Sequence, residues 1–118
     1  MQKYTGLTHF FKAAGYSIQG LKSAVKYEAA FRQELVAAII LLPLAFWLGK
    51  SNIEIALMVG SVLAVLVVEL LNSGLEAIVD RVGKEYHELS GRAKDLGSAA
   101  VFVAVLNCII VWAIILLG

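Results

Sequence analysis

The chain has 118 residues, of which 60% are hydrophobic and 16% charged, and its formal net charge is +1. This length suits one domain, and the apolar fraction exceeds that of ordinary soluble proteins, so lipid is the expected solvent. The balanced charge excludes a nucleic-acid-binding protein, because a phosphate backbone demands clustered basic residues. The single cysteine, Cys108, excludes an intrachain disulfide and a thiolate metal cluster.

An amphipathic helix is predicted at the N-terminus, over about residues 7–25. Apolar residues recur there at one-turn spacing, whereas Lys12, Lys22 and Lys26 lie off the apolar stripe. A helix with bulky apolar groups on one side and lysines on the other is suited to lying in the membrane interface rather than crossing the bilayer.

Three transmembrane helices are predicted next, over about residues 28–48, 53–82 and 96–117, within a single membrane domain. The second and third contain apolar runs of the roughly 20 residues that a span requires. The first has a shorter apolar run, so its more polar beginning must extend the same helix. Pro43 lies inside it and predicts a modest kink, which membrane helices tolerate. The segment EYHELSGRAKDLG is expected to be a loop.

The distribution of positive charge predicts the orientation. Of the ten Lys and Arg residues, only Lys50 lies between the first and second transmembrane helices. Because cytoplasmic segments carry the excess of these residues, the N-terminus and the second loop are predicted to be cytoplasmic. Trp47 and Trp112 then lie towards the opposite face, where indole rings commonly anchor helices at the interface.

Four polar residues share one face of the second transmembrane helix. Glu69, Asn72, Glu76 and Asp80 follow one another at spacings of three or four residues. Glu69 comes directly after a long uncharged run, and a carboxylate inside the hydrocarbon edge costs several kcal/mol, which usually marks function. Asn72 is compatible either with function or with a hydrogen bond between helices.

Structural alternatives stay open for the carboxylates of this face. Glu69 could be the buried partner of Arg32 or of another cation. The two carboxylates nearer the water boundary could form ion pairs with Arg81 or Lys84. These alternatives predict a stabilising role rather than a chemical one.

A second polar cluster, YEAAFRQE, opens the first transmembrane helix, level with the carboxylates at the cytoplasmic end of the second. Oxygen ligands that converge from two helices suit Mg²⁺, which commonly takes one or two carboxylates together with substrate phosphates. The sequence contains neither G-x-x-x-x-G-K-[ST] nor G-x-G-x-x-G, so familiar motifs do not indicate nucleotide binding.

Long segments resemble the prokaryotic diacylglycerol kinase family. EAAFRQE, VELLNSGLEAIVDRVG and EYHELSGRAKDLGSAA are similar to its signature segments, and KAAGYS is similar to its amphipathic segment. The Gram-negative diacylglycerol kinases are a closer match than the related undecaprenol kinases. The resemblance implies an all-α homotrimer in the bacterial inner membrane that uses ATP and Mg²⁺ at the cytoplasmic face. Diacylglycerol would be phosphorylated there to phosphatidic acid, in phospholipid recycling.

The same resemblance implies roles for individual residues. Glu69 would be the general base, Glu28 and Glu76 the metal ligands, and Asn72 and Asp80 their supports. The residues implied around ATP are Tyr16, Glu28, Glu76, Glu85, Tyr86, His87, Lys94 and Asp95. Those implied at the lipid site are Ala13, Ala14, Gly15, Tyr16, Ser17, Ile18, Ala30, Phe31, Arg32, Gln33, Glu34, Glu69 and Ser98.

One departure and two rival functions accompany this resemblance. His9 stands where the family usually has an arginine, and it is a weaker and conditional cation, so we leave it outside the implied site. A kinase of undecaprenol or another lipid alcohol is the first alternative. A small transporter is the second, although the polar residues crowd into the cytoplasmic half and only Glu54 lies near the opposite end of the second helix.

Overall fold

A computed structural model describes residues 5–83 and 87–118, so Glu85 and Tyr86, both implied near ATP, lie outside the described residues. The described chain is all-helical, as the sequence predicts. Its four helices are α1 (Gly6–Tyr27), α2 (Ala29–Leu48), α3 (Asn52–Val82) and α4 (Glu88–Leu117). The last three are each long and apolar enough to cross a membrane, so the three predicted spans are confirmed by length and composition.

A single extended residue, Glu28, separates α1 from α2 (φ −111°, ψ 103°). Its backbone N–H donates to the Ala24 carbonyl at 2.9 Å. The Arg32 guanidinium, in the first turn of α2, donates to the Val25 and Lys26 carbonyls at 2.8 and 3.2 Å. Because the last carbonyls of a helix have no partner within it, these bonds from α2 satisfy and fix the end of α1.

Helix α1 extends sideways from the other three helices. The molecule measures 48 × 41 × 23 Å along its principal axes. The longest dimension fits α3 and α4, which at 31 and 30 residues are about 46 Å long at a rise of about 1.5 Å per residue. Three packed helices with axes about 8–10 Å apart explain the smallest dimension but not the second. Ala24 is the one buried residue of α1.

Helix α3 is the centre of the bundle and packs against both α2 and α4. Small residues on α2 let its backbone approach α3 closely, which is how helices associate in lipid. The buried apolar residues of these two helices are Phe31, Ala38, Ala45, Met58, Val62 and Val65. Helix α4 contributes no fully buried residue, so it covers only one side of α3.

Helix α4 begins well before the predicted start of the third span. The segment expected to be a loop is helical from Glu88 onwards. His87 caps this helix, since its Nδ1 accepts a hydrogen bond from the Leu89 N–H at 3.1 Å. Glu88 also pairs with Arg92 at 3.4 Å, one turn further along. An apolar-run criterion detects the membrane segment but not the polar turns that continue the helix into water.

Trp112 joins α4 to α3 and is not simply an interface anchor. Its Nε1–H donates to the Met58 carbonyl at 3.3 Å. The Ser61 hydroxyl lies 2.8 Å from the same carbonyl and 3.4 Å from the Cys108 Sγ. Trp47, the other predicted anchor, is 79% exposed. The two tryptophans therefore have different environments.

Candidate active site

Glu69 on α3 is a buried carboxylate, with a side chain that is 5% exposed. The Ser73 hydroxyl, one turn along the helix, donates to its Oε2 at 3.4 Å. The Glu34 carboxyl of α2 is near enough to the Glu69 carboxyl to interact with it electrostatically. The Glu34 Oε2 is buried and has no hydrogen-bond partner among the described residues. Two carboxyl groups that meet away from water require a proton, a donor or a cation between them.

The proposed structural partner of Glu69 lies elsewhere. Arg32, which the sequence offered as its counter-ion, donates instead to the carbonyls at the end of α1. The alternative of a Glu69–Arg32 ion pair is therefore wrong. Sequence reasoning placed Glu34 at the lipid surface but did not pair it with Glu69, and it missed Ser73. The one-turn spacing from Glu69 to Ser73 is a signal that could have identified the serine.

A cleft of about 590 Å³ separates α1 from α3. Ser73 lines this cleft and also donates to Glu69, so it connects the cleft with the buried carboxylate. Glu28, the expected metal ligand at the α1–α2 joint, lines it as well, as does Ser17 of the implied lipid site. The remaining lining residues are Gly20, Leu21, Ser23, Ala24, Leu70, Gly74 and Ala77.

An ion pair joins the C-terminal end of α3 to the beginning of α4. The Lys94 Nζ lies 2.6 Å from the Asp80 Oδ1, and both side chains are exposed. Glu76 is near enough to Lys94 to interact with it electrostatically. Among the described residues, Asp80 therefore takes its cation from α4 and not from Arg81; Lys84, the other cation that the structural alternative offered, lies outside the described residues. The structure thus brings together three residues implied by the family resemblance, namely Glu76, Asp80 and Lys94.

Asn72 lies at a tight contact between α3 and α4. Its Oδ1 is buried and has no hydrogen-bond partner within the described part of the chain. Gly97 of α4 packs directly against it, and a Cβ on that glycine would collide with the Asn72 Oδ1. Asn72 is therefore an interhelical contact, but it does not supply the hydrogen bond expected of a purely structural asparagine.

Other implied residues lie apart from these groups. Residues 13–16 and 18 of α1 are exposed, as are Asp95 and Ser98 on α4, whereas Phe31 is 2% exposed and belongs to the core. Within residues 5–83 and 87–118, no cluster of three or more His, Cys, Asp and Glu side chains could hold a metal ion. A metal site built from these described residues alone would therefore have at most two such side chains as ligands.

Comparison with known proteins shows similarity along nearly the whole chain. Residues 15–116 match the family model described as prokaryotic diacylglycerol kinase. A Haemophilus influenzae protein named diacylglycerol kinase is 60% identical over 116 residues, which cover 98% of each chain. The Escherichia coli K12 protein of the same name is 54% identical over 112 residues, 95% of this chain and 92% of its own. The Pseudomonas aeruginosa one is 52% identical over 114 residues, covering 97% and 93%.

Proposed function

The chain belongs to the prokaryotic diacylglycerol kinase family, and we propose that it transfers the γ-phosphate of ATP to diacylglycerol, giving phosphatidic acid. The reaction takes place at the cytoplasmic face of the bacterial inner membrane and serves phospholipid recycling. The positive residues that flank the first and third spans support this orientation.

The buried Glu69 beside a cleft is the observation that carries the proposal. Transfer of a phosphoryl group to an alcohol needs positioning, charge neutralisation and a group that accepts the hydroxyl proton. Glu69 is the base in this proposal, and the Ser73 hydroxyl, which lines the cleft between α1 and α3 and donates to the Glu69 carboxylate, supports that role. The neighbouring Glu34 carboxyl, which interacts with that of Glu69, would help to fix the orientation of the base.

Helix α1 provides the lipid side of the cleft. It extends sideways from the bundle, and its bulky apolar residues are exposed, with Leu7, Phe10 and Phe11 each more than 60% accessible. Such a helix lies in the membrane interface with its apolar face among the acyl chains. Diacylglycerol then enters from the membrane while ATP approaches from water, and the two meet at the boundary where Glu69 lies.

Mg²⁺ fits the donor groups that the chain presents. Glu28 and Glu76 are half-buried carboxylates on neighbouring elements, and Mg²⁺ typically uses one or two carboxylates besides phosphates and water. When bound, Mg²⁺ neutralises charge on the phosphates of ATP. Lys94 supplies a fixed positive charge near Glu76, and Asp80 holds its ammonium group in place.

A homotrimer completes the site in this proposal. Helix α4 has no fully buried residue, and residues 13–18 of α1 are exposed. Three helices alone offer too little protein to enclose both a nucleotide and a lipid, so further copies of the chain would provide the missing walls.

The test is ATP-dependent phosphorylation in mixed micelles with Mg²⁺, using diacylglycerol and undecaprenol in parallel. Glu69→Gln should lower kcat by about 100-fold or more, since a general base contributes roughly 10²–10⁴. Glu54→Gln is the matched control, because Glu54 lies at the opposite end of α3 and accepts a bond from the Lys50 N–H. Turnover of undecaprenol alone would favour that alternative substrate. Without turnover of either lipid, the kinase proposal fails.

A further inference from the structure

Asn107 lies near the middle of the apolar part of α4. The predicted span of this helix covers residues 96–117, and Asn107 is about 16 Å from its first residue at a rise of about 1.5 Å per residue. The hydrocarbon core of a bilayer is about 30 Å thick. The amide is therefore close to the middle of the membrane, far from either layer of headgroups.

The Asn107 side chain is exposed and unlike the other polar groups of this region. Ser61 and Trp112 both donate to the Met58 carbonyl, so their polar atoms are satisfied between α3 and α4. Within residues 5–83 and 87–118, Asn107 forms no side-chain hydrogen bond. In a single chain, its amide would face lipid.

Lipid cannot satisfy an amide at this depth. Hydrocarbon has neither donors nor acceptors, and an unsatisfied polar group in it costs several kcal/mol. Long side chains such as lysine relieve this cost by reaching the headgroups. The Asn107 side chain is too short to span that distance, so its partner must be a protein group in the membrane.

We propose that the Asn107 flank of α4 is a contact surface for a second copy of this chain, and that the amide hydrogen-bonds across the contact. The flank consists of Asn107 and its exposed neighbours Val103, Ile110 and Ile114, which lie on one side of the helix at spacings of three or four residues. Its apolar residues pack while the amide supplies the polar interaction.

A second copy suits this surface better than an unrelated membrane protein. Copies related by an axis along the membrane normal keep every group at the same depth, so another Asn107 or a mid-membrane carbonyl meets the amide at its own level. An asparagine side chain both donates and accepts, which allows the bonds to be reciprocal. The inference rests on the oligomer of the proposed function but not on the kinase reaction.

Sedimentation equilibrium of the purified full chain in density-matched detergent tests the proposal. Asn107→Leu keeps the size of the side chain and removes the hydrogen bond. It should weaken association by about 3- to 30-fold per contact, the range measured for hydrogen bonds between membrane helices. Leu106→Ala is the control, because Leu106 is exposed at the same depth but points about 100° away around the helix. It should associate as the parent does.

Three results would overturn the proposal. The first is a parent chain that stays monomeric, which would leave a different protein as the partner of Asn107. The second is an Asn107→Leu variant that associates as tightly as the parent. The third is equal weakening by Asn107→Leu and Leu106→Ala, which would indicate general packing. Lipid phosphorylation is measured on the same samples, so an associating but inactive parent would refute the kinase and not this contact.

Discussion

Replacing Gly97 by alanine should loosen the junction of α3 and α4. The added methyl group would occupy the position of the Asn72 Oδ1, and that oxygen is buried on the facing helix. The amide must rotate or the two helices must separate. Overpacking of this kind costs about 1–3 kcal/mol. A glycine replaced by alanine inside a helix otherwise gains about 0.5–1 kcal/mol. The expected net loss in the free energy of unfolding is about 0–2.5 kcal/mol, by the same principles.

A double-mutant cycle isolates this collision. Asn72→Ala removes the obstructing oxygen, so Gly97→Ala should gain about 0.5–1 kcal/mol in that background, with a coupling energy of about 1–3 kcal/mol. Equilibrium unfolding in mixed micelles measures all four proteins. Gly60→Ala is the matched control, because a Cβ on Gly60 of α3 meets nothing within 4 Å. The reasoning is refuted if Gly97→Ala is as stable as Gly60→Ala, or if the cycle shows no coupling.

Three further predictions concern the contacts around the cleft. Arg32→Ala frees the carbonyls at the end of α1, so limited proteolysis should cut the α1–α2 joint faster than in the parent; an unchanged rate would contradict this. Ser73→Ala removes a hydrogen bond to Glu69 and should lower kcat by less than about tenfold, since at 3.4 Å this bond is long and a typical one is worth about 0.5–1.5 kcal/mol. Asp80→Asn should change stability by at most about 1 kcal/mol, because its pair with Lys94 is exposed. A larger loss on unfolding would show that this pair is a structural clamp.

The helices and the candidate spans could be predicted from the sequence because the patterns that indicate them are local. Apolar runs and one-turn periodicity predicted four helices and three spans, and each signal depends only on residues close together in the chain. The beginning of α4 was missed for the same reason. Hydropathy marks where a helix enters lipid, whereas Glu88 and Arg92 continue the helix by pairing along its polar turns.

Contacts between helices were harder to predict. Periodicity placed Glu69 and Asp80 on one face of α3, but it contains no information on how far a neighbouring helix is shifted along that face. The shift decides that Glu69 meets Glu34 and that Asp80 meets Lys94. Arg81, one of the two cations that the structural alternative offered, does not pair with Asp80, since adjacent residues on a helix point about 100° apart.

Because only Glu28 separates α1 from α2, a small change in its backbone angles would turn the whole of α1 about this joint. Helix α1 has 22 residues and is about 33 Å long at a rise of about 1.5 Å per residue. A rotation of about 20° at this joint, no more than the ordinary scatter of backbone dihedrals, would move its far end by about 11 Å. The two hydrogen bonds from Arg32 lie close to this joint, so they restrain the direction of α1 less than a contact near its far end would. The position of the far end of α1 should therefore depend mainly on the surface against which its apolar face packs.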